Sequence, residues 1–378
     1  MKNYTKHGVG TGALLTMLAL TACGGGGGGS NSGGATATAQ STGMVSIALT
    51  DAPSVDYDSV WVTAKEVWFH TSDGAGPDDA GWLKFPLANP VTVDLATLTN
   101  GAIAQVFDGL TLPVGDYQQI RILLAPTFGS LTDSAKTLGL KENNEVVYNG
   151  TANAPLHIPG FEHGIALVGH FSVSNTAPLN LVVDFDLDHD IVEFLKGSTP
   201  EFILKPRLRY FNLAAAGAIV GKLDPSVFQS AANPGGGYNF VIKAEELSGD
   251  GTHHVVTRAT TVRPDGSFTL FPLSANSDGT VHNYDVLIRG RNVETVIVRS
   301  VPVRANTAPA RNPTVLTATP IKVATDSEYS ANLQPGVNPT GGWADFFQTV
   351  PVASEVPYEV RFRQTNPFTG QFTRHRIR

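Results

Sequence analysis

The chain has one cysteine, Cys23, in 378 residues. A single thiol excludes an intrachain disulfide and a zinc–thiolate cluster. No apolar run reaches eighteen residues, so no segment reads as a membrane-spanning helix. Charged residues make up only 16% and acids outnumber bases, giving a formal net charge of −7. That balance, with an isoelectric point near 5.8, argues against a nucleic-acid partner. Also missing are a Gly-x-Ser-x-Gly elbow, a His-Glu-x-x-His pair and a Gly-rich loop closed by Lys-Ser/Thr. Carboxylates are abundant, but no pair is marked by spacing as a glycosidase pair.

The N-terminus supplies Lys2 and Lys6, then the short apolar stretch Ala13 to Leu20, then Leu20-Thr21-Ala22-Cys23. A basic start, a brief hydrophobic region and small residues describe a secretory signal. The Leu-Thr-Ala-Cys ending resembles a bacterial lipobox. The resemblance implies that residues 1–22 are a removed signal peptide and that Cys23 becomes the acylated, palmitate-bearing first residue. Gly24 stands where an inner-membrane retention signal often has Asp, which favours an outer-membrane lipoprotein of a Gram-negative cell envelope. Residues 23–42 are Cys23 followed only by Gly, Ser, Thr, Ala, Asn and Gln, without a large apolar side chain after the cysteine. Such a composition cannot offset the entropy of ordering, so this is a flexible tether with an r.m.s. span of roughly 25 Å.

The remainder reads as strands. Val45, Ile47 and Leu49 alternate with small or polar residues, and Val60 to Phe69 is rich in β-branched and aromatic side chains. Similar runs recur, punctuated by Gly, Pro, Asn and Asp clusters. Helix-period segments are few; Leu95 to Val106 and Ile191 to Leu195 are the candidates. Short strands without alternating helices predict an all-β chain of two or three consecutive β-sandwiches behind the Gly-rich tether. The first spans residues 43–213. Leu213 to Gly217 reads as a hinge, and a second sandwich spans 217–304. Its clearest local signal is the Arg263-Pro264-Asp265-Gly266-Ser267 turn between two strands. Residues 305–378 are a β-rich segment that reads as a third small sandwich, as completing strands of the second, or as partly disordered.

Leu49-Thr50-Asp51-Ala52-Pro53, Leu112 to Tyr117 with Ile120-Arg121-Ile122, Leu181 to Asp186 and Leu204 to Leu208 occur in that order. Together they resemble domain-of-unknown-function family 4382 over about residues 43–213. The resemblance implies a β-rich domain of bacterial envelope lipoproteins and brings no catalytic residues. Ala218 to Gly221, Asp265 to Phe268 and Tyr284 to Val286 resemble a carboxypeptidase-regulatory-like, transthyretin-like sandwich. That resemblance implies a structural or docking module.

Asp184, Asp186, Asp188 and Asp190 alternate with Phe185, Leu187 and His189. If the stretch is extended, all four carboxylates share one face at ~6.8 Å spacing, and neighbours repel by roughly 2.4 kcal/mol at an effective dielectric of 20. Solvent, Lys205, Arg207 and Arg209, or a bound calcium ion would compensate, with Asp51, Asp56 and Asp58 as further candidates. His157, His163, His170 and His189 show no metal-ligand spacing, and His253-His254 reads as a loop tip. Trp61 and Trp68 fall on opposite faces of an unbroken strand. Trp82, after a Gly/Asp loop, is the candidate surface aromatic for stacking on a sugar or partner.

These features predict a non-enzymatic structural, adhesion or partner-binding lipoprotein, attached to the membrane by its lipid. The alternative is a protein that binds glycan or another extracellular polymer. A hydrolase with a composite site is the third class.

Overall fold

The computed structural model describes residues 40–52, 57–196, 198–223, 240–276, 280–290, 293–305, 313–316, 343–348 and 356–364. The expectations for Cys23, most of the tether and Asp56 lie outside them. The first group of strands comprises β1 (Thr42–Ala52), β2 (Ser59–His70), β3 (Leu83–Asp94), β4 (Ala104–Pro113), β5 (Gly115–Leu124), β6 (Glu145–Tyr148), β7 (Ala152–His157), β8 (Ile165–Val173), β9 (Leu179–Asp186), β10 (Ile191–Lys196), β11 (Thr199–Leu204) and β12 (Arg209–Asn212). Two short helices, α1 (Asp133–Thr137) and α2 (Leu187–Asp190), interrupt them. One sheet has the order β12-β9-β1-β4. The larger runs β10-β11-β7-β6-β2-β5-β8, with β3 on β2.

Period-two patterning decides which faces meet. Val45, Ile47 and Leu49 of β1 and Leu181, Val183 and Phe185 of β9 point into a shared core with Val60, Val62, Val67 and Phe69 of β2 and Ile120 and Ile122 of β5. On β9 the intervening Val182, Asp184 and Asp186 are also buried, so both faces of this strand are covered. A one-residue slip would exchange the two sets.

Several expectations are corrected by local chemistry. Ile191–Lys196 is a strand paired with β11 throughout, not a helix, and Leu95–Thr97 is a single 3-10 turn capped by the Asp94 carboxylate. A bulge in β2 between Ala64 and Glu66 reverses the side-chain parity. Trp61 and Trp68 therefore both lie off the core face, Trp61 half-buried and Trp68 buried.

The second group is β13 (Ala216–Lys222), β14 (Val241–Leu247), β15 (His254–Thr261), β16 (Ser267–Ser274), β17 (His282–Arg289), β18 (Val296–Val303) and β19 (Thr314–Leu316). Sheets β16-β13-β19 and β15-β14-β17-β18 enclose Ile219, Phe240, Ile242, Phe268, Leu270, Tyr284, Val286 and Ile288. The β15–β16 turn closes as its sequence requires. Gly266 takes φ +83, and its N–H donates to the Arg263 carbonyl. The final strands, β20 (Trp343–Gln348) and β21 (Tyr358–Gln364), pair only with each other among the described residues.

All these strands belong to one compact unit. The expected hinge is a packed joint: a 3-10 turn over Leu213–Ala215, capped by the Asn212 side chain, with Leu213 against Ala216, Ala218 and Phe271.

Candidate functional site

The second face of β1 and β9 meets β15 of the second sandwich. Ala52 packs with Val256 and Ala259, and the polar centre is Arg258, only 1% exposed. Its guanidinium donates to the Asp184 carboxylate, to Thr50 Oγ1 at 2.7 Å and to the Asp51 carbonyl at 2.7 Å. Nε reaches the Phe271 carbonyl at 3.1 Å on its own sandwich. One side chain thus joins β15 and β16 to β1 and β9. Arg209 of β12 donates to the Val256 carbonyl at 2.8 Å. It is joined across the same seam by Arg263, whose guanidinium donates to the Asn100 carbonyl at 2.9 Å.

The aspartates do not form one extended face. The chain leaves β9 at Asp186 because the Asp190 carboxylate accepts the Asp186 N–H at 3.0 Å, which closes the α2 turn. The Leu187 N–H donates to Asp51 Oδ1 at 3.2 Å, fixing the turn to β1. The other Asp190 oxygen accepts the Arg207 N–H at 2.8 Å. Asp184 (2% exposed), Asp186 (7%) and Asp190 (0%) are therefore buried rather than solvated, while Asp188 is half-buried. Of the basic residues expected to compensate, Arg209 approaches Asp186 at 3.8 Å. Arg207 contributes its backbone, and Arg258 supplies the ion pair.

Beside the turn, His189 Nδ1 lies 2.6 Å from Asp186 Oδ2, and its Nε2 lies 3.4 Å from Glu359 Oε1 on β21. Glu359 also donates its N–H to Glu245 Oε2 at 3.1 Å and accepts Lys243 Nζ on its carbonyl at 3.3 Å. Three chain regions converge here: the aspartate turn, β14 and the C-terminal hairpin.

Burial and neighbouring charge divide the protonation states. Burial disfavours a charged His189, but Asp186 and Glu359 outweigh it and hold the imidazolium to about 10. Burial also opposes ionisation of Asp186 and Glu359, yet His189 with the nearby cations keeps both below the ordinary carboxylate range. Burial, then the Asp186 charge, push Asp190 up to about 7. Burial lifts Glu245 to about 8, reinforced by Glu359 and Asp285 against Lys243. Asp51 is raised well above its usual range by burial and then by Asp184 and Asp186. Burial raises Asp184 even against Arg258. Asp51 Oδ2 and Asp184 Oδ2 have no hydrogen-bond partner among the described residues.

The other expected residues lie elsewhere. His157 pairs with Glu201 at 2.7 Å; His170 approaches Asp116 at 3.8 Å. Asp58 accepts the Gly150 N–H at 2.7 Å. No group of three or more His, Cys, Asp or Glu side chains is arranged to hold a metal among the described residues. His254 is not a free loop tip: its ring stacks on Tyr358, centroids 3.9 Å apart. Trp82 is half-buried, with its indole N–H on the Gly76 carbonyl at 2.8 Å and its ring beside His70, Trp68 and Arg121. Sequence reasoning missed Arg258, Lys243, Glu245 and Glu359, whose partners lie far away along the chain.

Fold and site define a tandem β-sandwich protein with a buried ionic joint. Residues 42–206 match the family described as Domain of unknown function (DUF4382). The match takes in Asp51 and the aspartate turn and ends before Arg209, so the basic half of the joint lies beyond it. No curated protein matches the chain. Two solved structures are similar at low identity. A leucine-rich repeat protein from Bacteroides thetaiotaomicron VPI-5482 shares 14% identity at TM-score 0.18, covering 76% of this chain. The chain spans only 27% of that protein. A candidate adhesin from Bacteroides ovatus ATCC 8483 shares 12% identity at TM-score 0.19, covering 78% of this chain and 95% of that one.

Proposed function

We propose that the protein is a cell-envelope lipoprotein, anchored through Cys23 and serving a structural, adhesion or partner-binding role without catalysis. The observation that carries the non-catalytic reading is the use made of the ionisable groups. Asp184, Asp186, His189, Asp190, Arg258 and Glu359 bind one another or backbone groups and join separate sheets. A general acid or base has to reach a substrate proton, whereas these groups are buried in a joint. The lipobox-like Leu-Thr-Ala-Cys and the glycine tether support display of that body at the outer membrane.

The test is metabolic labelling with palmitate, followed by membrane fractionation. The native chain is expected to incorporate label and sediment with outer membranes, and Cys23→Ser to do neither. A native chain that stays soluble and unlabelled contradicts the lipoprotein reading.

Glycan binding keeps one supporting observation. Half-buried Trp82 sits beside Arg121, whose guanidinium carbon is 5.3 Å from the ring centroid, a cationic and aromatic surface suited to stacking on a sugar. Affinity electrophoresis in polysaccharide gels, comparing native protein with Trp82→Ala, tests it; equal mobility rejects it.

A further inference from the structure

The outer face of the larger sheet carries a row of side chains across three strands. Trp68 of β2 stands opposite Lys84 of β3 and Arg121 of β5. Val67 and Phe69 point into the core, so period two turns Trp68 and His70 to the outer face. Exposed Lys84 holds its Nζ 3.7 Å from the centroid of the Trp68 ring. Trp82 closes the β2–β3 loop, with its ring centroid 4.9 Å from His70 and 5.8 Å from Trp68. Its bond to the Gly76 carbonyl orders the ring in advance of any ligand, which lowers the entropy lost on binding. Arg121 ties two loops together. One Nη donates to the His163 carbonyl at 2.9 Å and the other to the Ala75 carbonyl at 3.3 Å. The loop holding His163 brings a second pair, Phe161 with Lys65 Nζ 5.9 Å from its ring centroid. Lys65, Lys84 and Arg121 have no carboxylate at ion-pair distance among the described residues; the Lys and Arg ion pairs lie at Lys136, Lys196, Arg209 and Arg258. Of the loop acids, Asp79 accepts the Gly76 N–H at 2.9 Å, Glu162 lies 3.6 Å from His163, and Asp73 and Asp78 are exposed.

We propose that this surface binds an acidic polysaccharide, a polymer of uronic acid residues, through Trp82, Lys84 and Arg121, with Phe161 and Lys65 as a second contact. The proposal rests on the glycan-binding reading of Trp82 and narrows its ligand class. The observation that selects acid over neutral sugar is the set of cations, each set against an aromatic ring and none paired with a carboxylate. A sugar ring stacks on an aromatic side chain through its apolar face. A carboxylate on that ring takes charge-assisted hydrogen bonds, roughly twice as strong as neutral ones. Arg121 keeps donors for this, since a guanidinium has five N–H groups and two of its nitrogens each spend one bond on a loop carbonyl. A neutral sugar gains nothing from these charges. Two cation–aromatic pairs joined by Arg121 suit a polymer rather than a single sugar. The chain carries a formal net charge of −7, so the rest of the protein repels a polyanion, and binding is confined to this surface and weakens with salt.

The test is affinity electrophoresis of the full chain in gels holding polygalacturonate or the same polymer fully methyl-esterified, which removes the carboxylate charge. The native chain is expected to be retarded several-fold more strongly by polygalacturonate than by the ester, and less strongly as salt is added. Lys84→Gln, a change at an exposed position, is expected to weaken binding to polygalacturonate by about threefold, the scale of one exposed ion pair, and to leave the ester gel unchanged. Trp82→Ala is expected to weaken both. Retardation by the ester equal to or above that by polygalacturonate overturns the acidic class while leaving glycan binding in place. No retardation in either gel removes both. Retardation by polygalacturonate that Trp82→Ala leaves unmoved, and that polystyrene sulfonate matches, marks plain polyanion attraction and overturns the proposal.

Discussion

Arg258 of the second sandwich forms an ion pair with Asp184 of the first, each side chain only 1% exposed. The pair is supported by Thr50 Oγ1 and the Asp51 and Phe271 carbonyls. Removing one member of such a pair strands a buried charge, at about 3–5 kcal/mol. Arg258→Ala is therefore expected to lower stability by about that amount in urea titration. The double change Arg258→Met/Asp184→Leu is expected to recover much of the loss, because two apolar side chains leave neither charge behind.

Stability is expected to fall as pH rises from 6.5 to about 10. His189 is raised from 6.5 to about 10, so its contribution is complete below 6.5 and is lost as pH rises through 10. Glu245 is raised from 4.5 to about 8. The folded state keeps its proton longer than the unfolded state does, so stability also declines up to pH 8. Asp186 and Glu359 act oppositely, their contributions being lost only as pH falls below the ordinary carboxylate range. Melting temperatures across this range should decline, and Glu245→Gln should flatten the portion below pH 8. An unchanged slope in Glu245→Gln contradicts the assignment.

At the entry to β1, a Cβ on Gly43 would lie 2.1 Å from the Ser174 carbonyl oxygen. The Ser174 carbonyl is backbone, so no rotamer relieves the clash. Gly43→Ala is expected to cost about 1–3 kcal/mol, as overpacking does, read as a shift of the urea midpoint.

Calcium is expected to leave the melting temperature unchanged, and chelation likewise. Asp184, Asp186 and Asp190 already face Arg258, His189 and backbone N–H groups. A rise on adding calcium, abolished by Asp186→Asn, would restore the aspartates as a metal site.

Much of the framework was legible: the period-two face of β1, the strands β2 and β9 from their composition, and the Pro264-Gly266 turn from its turn residues. The misreadings have local causes that pattern alone does not encode. Trp61 and Trp68 share a face because a bulge intervenes, and a bulge adds a residue without a compositional mark. The aspartate run breaks at Asp186 because a side chain four residues on captures its N–H. Arg258 sits 74 positions from Asp184 and 208 from Thr50. Nothing near it in sequence marks it as the tie between sheets.

The buried ionic groups make the two sandwiches one cooperative body, which differential scanning calorimetry of the full chain reads out. One cooperative transition is expected for the native chain and two separated transitions for Arg258→Ala. Two transitions in the native chain, or an unchanged single transition in Arg258→Ala, would contradict it.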